Sequence, residues 1–310
     1  MKIFVIGAGA VGSYFGAALA LAGHDATFGV RDTARSRIES AGIRLSGPRG
    51  DFQVKSVKHT EKPEHVRGAD VVISTVKLYD VKSSATQWRP AIETAGAVIC
   101  VQNGVDGACR MRDGAPKARV YGGLSFVSGQ ADGPGSVRYL SDMSSLTFGG
   151  SDSVDNESLC LFASCLDGTA NPLEVKLQLV ADVALAQWKK FLALATNAAL
   201  TCLVRRGAGV IYHDLELLAL AQKSIDEIFA VGQAEGIALQ DEDKTNALAT
   251  LQRLPPEMVA SMHHDLAAGR RLELDGLSGL VSTLGRRHGI DTQFHDFAYA
   301  CLKPHMGGTS

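Results

Sequence analysis

Apolar and polar positions at the start of the chain follow one another in an order that predicts strand, turn, helix and strand. Residues 3–6 form an unbroken apolar run, which is typical of a parallel strand buried on both faces. Three glycines with GxGxxG spacing come next, and small residues from 16 to 22 predict a closely packed helix. Residues 25–30 then predict a second strand.

The glycine spacing predicts a dinucleotide site. A GxGxxG turn alone is weak evidence, but a strand before it and a helix and strand after it favour dinucleotide binding over a plain turn. The first glycine permits a tight bend, the second leaves room for a pyrophosphate, and the third lets the helix pack on the strand. The helix N-terminus adds free N–H groups and the positive end of its dipole. The predicted cofactor contacts are Gly7, Ala8, Gly9, Ala10, Val11 and Gly12.

The residue after the second predicted strand indicates which cofactor binds. A carboxylate there would accept hydrogen bonds from the ribose of NAD, whereas Arg31 presents a guanidinium suited to the 2′-phosphate of NADP. The alternative is a surface arginine paired with Asp32. We expect NADP, as NADPH, with Arg31 as a cofactor contact.

Polar side chains follow two further buried strands. Residues 69–76 form an apolar stretch that ends at Lys77, and residues 97–101 form another that ends at Gln102 and Asn103. The carboxyl edge of an open parallel sheet is where ligands bind. Lys77 and Asn103 are therefore candidate contacts to cofactor or substrate, although a solvated strand-end lysine explains Lys77 about equally well.

Short alternating stretches predict more strands before residue 180. Residues 43–45 and 52–57 flank a turn-rich GPRGD segment and predict a small hairpin inserted in the sheet domain. Residues 136–140 and 145–148 predict antiparallel strands that extend the sheet, and residues 173–177 predict the last strand.

Helical patterns replace strand patterns after about residue 180. Asp214 and Asp241 are the expected N-caps of two of these helices. We therefore predict two domains that share a cleft: residues 1–180, which bind NADP, and residues 181–310, an all-helical domain for substrate and catalysis. The predicted helices cover residues 182–203, 214–235, 242–253, 257–268, 276–288 and 292–302.

The helix predicted for residues 182–203 is almost entirely apolar, so its few polar residues are informative. Lys190, Asn197 and Thr201 lie at i, i+7 and i+11 and therefore share one stripe. A lysine in such a helix must either extend to solvent or face a polar cleft, because burial of an unpaired ammonium is costly. We expect Lys189 to be solvated and Lys190 to face the cleft.

Composition narrows the class of protein. The 310 residues carry a formal charge of −2 from 31 basic and 33 acidic side chains, which predicts no nucleic-acid or membrane partner. The six cysteines show no CxxC or zinc spacing, so we expect no metal and interpret them as reduced core residues of a cytoplasmic protein. We predict neither a signal peptide nor a transmembrane segment.

An ordered set of motifs along essentially the whole chain resembles the ketopantoate reductases, also called 2-dehydropantoate 2-reductases. The set comprises GAGAVG from Gly7, Arg31, VKLYD around Lys77, QNG from Gln102, WKKF around Lys190, and SMHHD from Ser261 followed by Glu273. The resemblance implies an α/β fold class, with an N-terminal Rossmann domain and a C-terminal all-helical domain. It also implies reduction of a 2-keto acid with NADPH in the cleft between them.

The resemblance further implies a role for individual residues. Lys190 would be the general acid that protonates the ketone oxygen, and Glu273 would position the substrate hydroxyl and the cofactor. Ser261 would contact the substrate carboxylate, while Asn103 and Lys77 would complete the site from the sheet side. Asn197 is a further substrate-binding candidate, and Asp265 is expected to support Ser261 rather than to catalyse.

Two positions depart from the family pattern. The asparagines that the family often carries four and eight residues after the catalytic lysine are here Leu194 and Ala198, and Asn197 is displaced by one residue, or about 100° around a helix.

We expect a ketopantoate reductase. The alternatives are a reductase of another branched 2-keto acid and a non-catalytic NADP(H)-binding sensor. The expected partner is a small 2-keto acid, and a homodimer is kept as a candidate assembly.

Overall fold

The first strand of the chain, β1 (Lys2–Ile6), lies inside the larger of two sheets. The computed structural model describes residues 1–30, 32–133 and 135–309. These form two compact units, one of residues 1–102 and 106–183 and the other of residues 103–105 and 184–310. None of the helices in these ranges is both long enough and apolar enough to cross a membrane.

The first unit contains every strand of the described residues and six α-helices. Its other strands are β2 (Asp25–Gly29), β3 (Ile43–Ser46), β4 (Phe52–Val54), β5 (Lys58–Thr60), β6 (Val71–Ser74), β7 (Ala97–Cys100), β8 (Val120–Phe126), β9 (Gly129–Ala131), β10 (Ser136–Tyr139), β11 (Ser145–Gly149) and β12 (Lys176–Val180). Its helices are α1 (Ala10–Leu21), α2 (Asp32–Ala41), α3 (Val81–Gln87), α4 (Arg89–Ile92), α5 (Gly107–Gly114) and α6 (Glu157–Ala163).

The larger sheet has the strand order β12-β11-β8-β7-β6-β1-β2-β5. The six strands from β8 to β5 run parallel, and β11 pairs antiparallel with β8. Side chains of β1 alternate between two apolar cores: Ile3 and Val5 pack on one face, Phe4 and Ile6 on the other. This burial on both faces is what the unbroken apolar run predicted.

A separate four-stranded sheet, ordered β4-β3-β10-β9, corrects one prediction. The hairpin of β3 and β4 is confirmed. Residues 136–140, however, were expected to extend the large sheet, whereas β10 pairs in parallel with β3 and antiparallel with β9. Val137 and Tyr139 are buried in the core beside α1, which gives β10 an apolar face without the large sheet. The prediction for residues 145–148 is confirmed by β11.

The last strand also begins later than predicted. Residues 173–177 were expected to form it, but residues 171–174 make a turn in which Glu174 has φ 48° and donates its N–H to Asn171 O. Leu173 is fully buried within this turn, so its apolar character reflects burial and not a strand. The strand, β12, starts at Lys176.

The cysteines are free, as expected, but three of the six are not core residues. Cys100 and Cys202 are buried, whereas Cys109, Cys160 and Cys301 are exposed. The prediction was wrong for these three because each occupies the outward face of an amphipathic helix.

The second unit is built around α7 (Val183–Val204), a long apolar helix whose Phe191, Leu192 and Ala195 are buried in the core. The other helices each contribute buried apolar residues to that core. They are α8 (Ala208–Ile211), α9 (Leu215–Ala234), α10 (Asp241–Gln252), α11 (Ser261–Ala267), α12 (Ser278–His288) and α13 (Gln293–Leu302). The predicted fold class, an α/β domain followed by an all-helical domain, is confirmed.

Helix ends in the second unit test the predicted N-caps. Asp214 caps α9, since its Oδ1 accepts from the Leu217 N–H at 2.9 Å. The assignment of Asp241 was wrong: Gln240 is the N-cap of α10, and Asp243 completes a capping box with it. The helix predicted from residue 257 begins at Ser261, because the preceding residues form a proline turn in which Met258 N–H donates to Pro255 O.

Candidate active site

The glycine turn after β1 has the geometry that its spacing predicts. Gly7 has φ 104°, a conformation that side chains other than glycine rarely adopt. A Cβ at Gly12 would overlap Gly7 O and Thr75 Oγ1, so only glycine lets α1 approach the turn this closely. The Thr75 hydroxyl lies 3.0 Å from Gly7 O and 3.1 Å from Ile6 O. Thr75 therefore fixes the turn from β6, a contact that the sequence analysis missed.

The N-terminus of α1 is open where a dinucleotide phosphate would lie. Gly9 is the N-cap, and a Cβ built on it would meet no atom within 4 Å. The first-turn N–H groups of Ala10, Val11 and Gly12 have no intrahelical acceptor in an α-helix. An open glycine, oriented N–H donors and the helix dipole together fit a pyrophosphate. The residues at this turn thus match the cofactor that the motif implies.

Arg31, the residue expected to read the 2′-phosphate, lies outside the described residues. It follows β2, which pairs with β1 in parallel. Its role as a cofactor contact stays a prediction.

Two of the predicted strand-end residues belong to the first unit. Lys77 is half-buried and follows β6, as the N-cap of a short 3₁₀ turn (Leu78–Asp80). Gln102 follows β7 and is buried, and its Nε2 donates to Ser74 O at 3.0 Å and Val76 O at 3.2 Å. Gln102 thereby fixes the backbone that leads from β6 to Lys77, so its side chain has a positioning role.

Lys190 and Asn103 come together in the second unit. Lys190 is half-buried on α7, and its Nζ lies 3.5 Å from Asn103 Oδ1. Burial lowers the pKa of Lys190 to about 8 from an ordinary value of 10.5, because an apolar environment disfavours the ammonium form. The neighbouring Lys189 is exposed and pairs with Asp243 at 2.9 Å, as expected of the solvated member. The arrangement can deliver a proton near neutral pH.

Asn197 is held by a buried phenol. Tyr212 is fully buried at the end of α8, and its hydroxyl donates to Asn197 Oδ1 at 2.8 Å. Burial raises the pKa of Tyr212, which therefore stays a neutral donor. Leu194 is half-buried and Ala198 buried, so the two positions at which the resemblance implied asparagines are apolar here. Tyr212 was missed because one tyrosine in an apolar segment gives no signal in a sequence.

Ser261 and Glu273 differ in their exposure to solvent. Ser261 is exposed as the first residue of α11, and the residue before it donates its N–H to Thr201 Oγ1 at 3.4 Å. Glu273 is buried just before a short 3₁₀ turn (Leu274–Gly276). Asp265, near Ser261 in sequence, is buried and accepts from Arg270 Nε at 2.8 Å. The substrate roles of Ser261 and Glu273 stay predictions.

Models of one protein family match both halves of the chain. A family model described as Ketopantoate reductase PanE/ApbA matches residues 3–153, and one described as Ketopantoate reductase PanE/ApbA C terminal matches residues 182–306. A 2-dehydropantoate 2-reductase of Caulobacter vibrioides is 29% identical over 302 residues, covering 97% of this chain and 98% of that relative.

Solved structures extend the comparison. A PanE/ApbA family ketopantoate reductase from Ralstonia eutropha JMP134 superposes with a TM-score of 0.87 and 30% identity, covering 99% of this chain and 98% of that chain. A D-mandelate dehydrogenase solved with NADH and anilino(oxo)acetate superposes with a TM-score of 0.85 at 20% identity, covering 99% and 98% of the two chains. The second likeness shows a shared fold alone.

Proposed function

Since the chain belongs to the ketopantoate reductase family, we propose that it reduces 2-dehydropantoate (ketopantoate) to pantoate with NADPH, and that Lys190 is the general acid. The observation that carries the proposal is the half-buried Lys190 ammonium, 3.5 Å from Asn103 Oδ1 and with a pKa lowered to about 8. A general acid works best when its pKa lies near the operating pH. An unperturbed lysine would be a weaker acid by more than two pH units.

The proposed proton transfer balances the hydride. NADPH, when bound, supplies a hydride to the keto carbon of the substrate. Lys190 Nζ donates a proton to the keto oxygen as negative charge develops there, and the neutral amine regains a proton from solvent. Before the transfer, the ammonium also stabilises the developing alkoxide electrostatically. Asn103 limits the positions that the Lys190 ammonium adopts, because its Oδ1 contacts Nζ.

The remaining residues would bind and orient. We propose that residues 7–12 hold the pyrophosphate, that Arg31 reads the 2′-phosphate of NADPH, and that Lys77 contributes charge from the end of β6. On the helical side, Ser261 would bind the substrate carboxylate and Glu273 the substrate hydroxyl. Support for the cofactor part comes from the open Gly9 position and the α1 N-terminus.

One observation favours a second candidate function, reduction of a different 2-keto acid. Leu194 and Ala198 are apolar at positions where many family members place amides. A substrate with a larger hydrocarbon side chain would suit such a surface, because apolar contacts replace the lost hydrogen bonds.

Oxidation of NADPH with a panel of 2-keto acids tests the proposal. We expect the highest kcat/KM with ketopantoate. A highest kcat/KM with an aliphatic or aromatic keto acid would favour the second candidate. Tight NADPH binding without turnover of any keto acid would instead indicate a non-catalytic sensor.

A further inference from the structure

We infer that Tyr212 is a positioning residue for substrate recognition: it orients the Asn197 amide so that Nδ2 donates to the hydroxyl oxygen of ketopantoate. The inference rests on the proposed function. It assigns a role to a residue outside the motifs, and it explains how this chain recognises a polar substrate end without the asparagines at positions 194 and 198.

The buried phenol sets which way the amide faces. Tyr212 is fully buried, and a hydroxyl donor in the core must find an acceptor or lose the free energy of its hydration. Its acceptor is Asn197 Oδ1, at 2.8 Å. With the oxygen so engaged, the amide cannot rotate without leaving the Tyr212 hydroxyl without its acceptor. The NH₂ group is therefore directed away from Tyr212.

The donor that remains is available to a ligand. Asn197 is half-buried, and no residue in the described ranges accepts a hydrogen bond from its Nδ2. An amide NH₂ group donates and does not accept, so it selects an oxygen acceptor on the bound molecule. Glu273, proposed for the same substrate hydroxyl, is an acceptor when ionised. A hydroxyl group satisfies both, since it accepts from Asn197 and donates to Glu273.

A second contact holds the backbone of Asn197. The Thr201 hydroxyl donates to Asn197 O at 2.6 Å and accepts from the Ala260 N–H at 3.4 Å. Ala260 directly precedes Ser261, the residue proposed for the substrate carboxylate. One network thus ties both ends of the proposed substrate contact to the same part of α7.

The order of side chains along α7 matches the order of groups in ketopantoate. Lys190, Leu194 and Asn197 lie at i, i+4 and i+7, on one side of the helix. In the substrate, a carbon with two methyl groups separates the keto group from the hydroxymethyl group. Along α7, the ammonium of Lys190 would face the keto oxygen and the apolar Leu194 would face the methyl groups. The amide of Asn197 would then donate to the hydroxyl.

Two substrates separate this role from a structural one. We compare ketopantoate with trimethylpyruvate, which has the same skeleton without the hydroxyl group, in parent and Tyr212→Phe enzymes. We expect the substitution to raise KM for ketopantoate roughly two- to tenfold, the effect of one hydrogen bond, with kcat and the KM for NADPH unchanged. The KM for trimethylpyruvate should not change, because it lacks the acceptor.

Further variants keep the test decisive. Asn197→Ala should raise KM for ketopantoate by a similar factor, and adding Tyr212→Phe to it should have no further effect, since Tyr212 acts only by orienting the Asn197 donor. Tyr299→Phe is the matched control: its hydroxyl donates to Asp275 at 2.9 Å and not to Asn197, so the ratio of KM values for the two substrates should equal the parent's.

Three outcomes would overturn the inference. The first is an unchanged ketopantoate KM in both Tyr212→Phe and Asn197→Ala. The second is an equal rise in KM for both substrates, which would indicate a structural effect of Tyr212. The third is a parent enzyme with no keto-acid turnover at all, which would refute the proposed function and this inference with it.

Discussion

Replacement of Lys190 by alanine separates a catalytic lysine from one that merely extends to solvent. If Lys190 is the general acid, loss of proton transfer should lower kcat by about 10² to 10⁴, while the affinity for NADPH stays near that of the parent. The glycine turn that would hold the cofactor belongs to the first unit, whereas Lys190 belongs to the second. Lys189→Ala is the matched control, because Lys189 is exposed and pairs with Asp243.

The pH dependence follows from the pKa of about 8 that burial gives Lys190. The acid must be protonated, so kcat/KM should be level below about pH 7, where about 90% of the lysine is charged. Above pH 8, kcat/KM should fall about tenfold per pH unit. A solvated lysine would leave the rate level to about pH 10. Steady-state NADPH oxidation across this range measures the fall of kcat/KM at high pH, the alkaline limb.

The same shift makes a prediction about stability. The folded-state pKa of Lys190 lies below its unfolded value of 10.5, so the unfolded chain binds more protons between about pH 8 and pH 10.5. Stability should therefore rise with pH across that window, and burial of the ammonium costs at most roughly 3 to 4 kcal/mol below it. Lys190→Met should raise Tm at neutral pH.

An active Lys190→Ala enzyme whose kcat/KM falls at high pH as the parent's does would refute the assignment of Lys190 as the general acid.

Three further changes test the cofactor site and the surroundings of the lysine. Arg31→Ala should weaken NADPH by about ten- to a hundredfold, the loss of one charge-assisted contact, and NADH much less; equal losses in a binding titration would contradict the role of Arg31. Gly9→Ala should weaken NADPH binding with little change in Tm, because its Cβ meets only open space, whereas Gly12→Ala should lower both, since its Cβ overlaps Gly7 O. Equal Tm values for the two variants would be evidence against this geometry. Leu194→Asn should move the alkaline limb of kcat/KM upward, because an amide one turn from Lys190 stabilises the ammonium; an unmoved limb would show that Leu194 does not set the pKa of Lys190.

The parts of the fold that could be predicted are those in which one local pattern decides the structure. The run from Ile3 to Ile6 is apolar throughout because β1 is buried on both faces. The spacing of Gly7 and Gly12 carries a steric reason that is independent of the rest of the chain. Likewise, the apolar pattern of α7 predicted a core helix, and its two lysines divided as expected into an exposed and a half-buried one.

Pairing between distant segments could not be predicted in the same way. The alternation of apolar and polar residues predicted that β10 is a strand, but it does not show which strand pairs with it. In the structure β10 pairs with β3, about ninety residues earlier. The contact between Tyr212 and Asn197 is of the same kind. Its energy depends on the burial of the phenol, which no short motif records.

The aliphatic residues of α7 have two linked consequences for the chemistry. Burial lowers the pKa of Lys190 to about 8, and we expect that an asparagine at position 194, one helical turn away, would accept a hydrogen bond from the ammonium and hold the pKa closer to 10.5. Leu194 also offers no hydrogen-bonding group. Under the proposed function, the polar end of the substrate would therefore be bound elsewhere on the helix. Asn197 lies three residues further along, and Tyr212 holds its oxygen, so its NH₂ group is directed away from Tyr212.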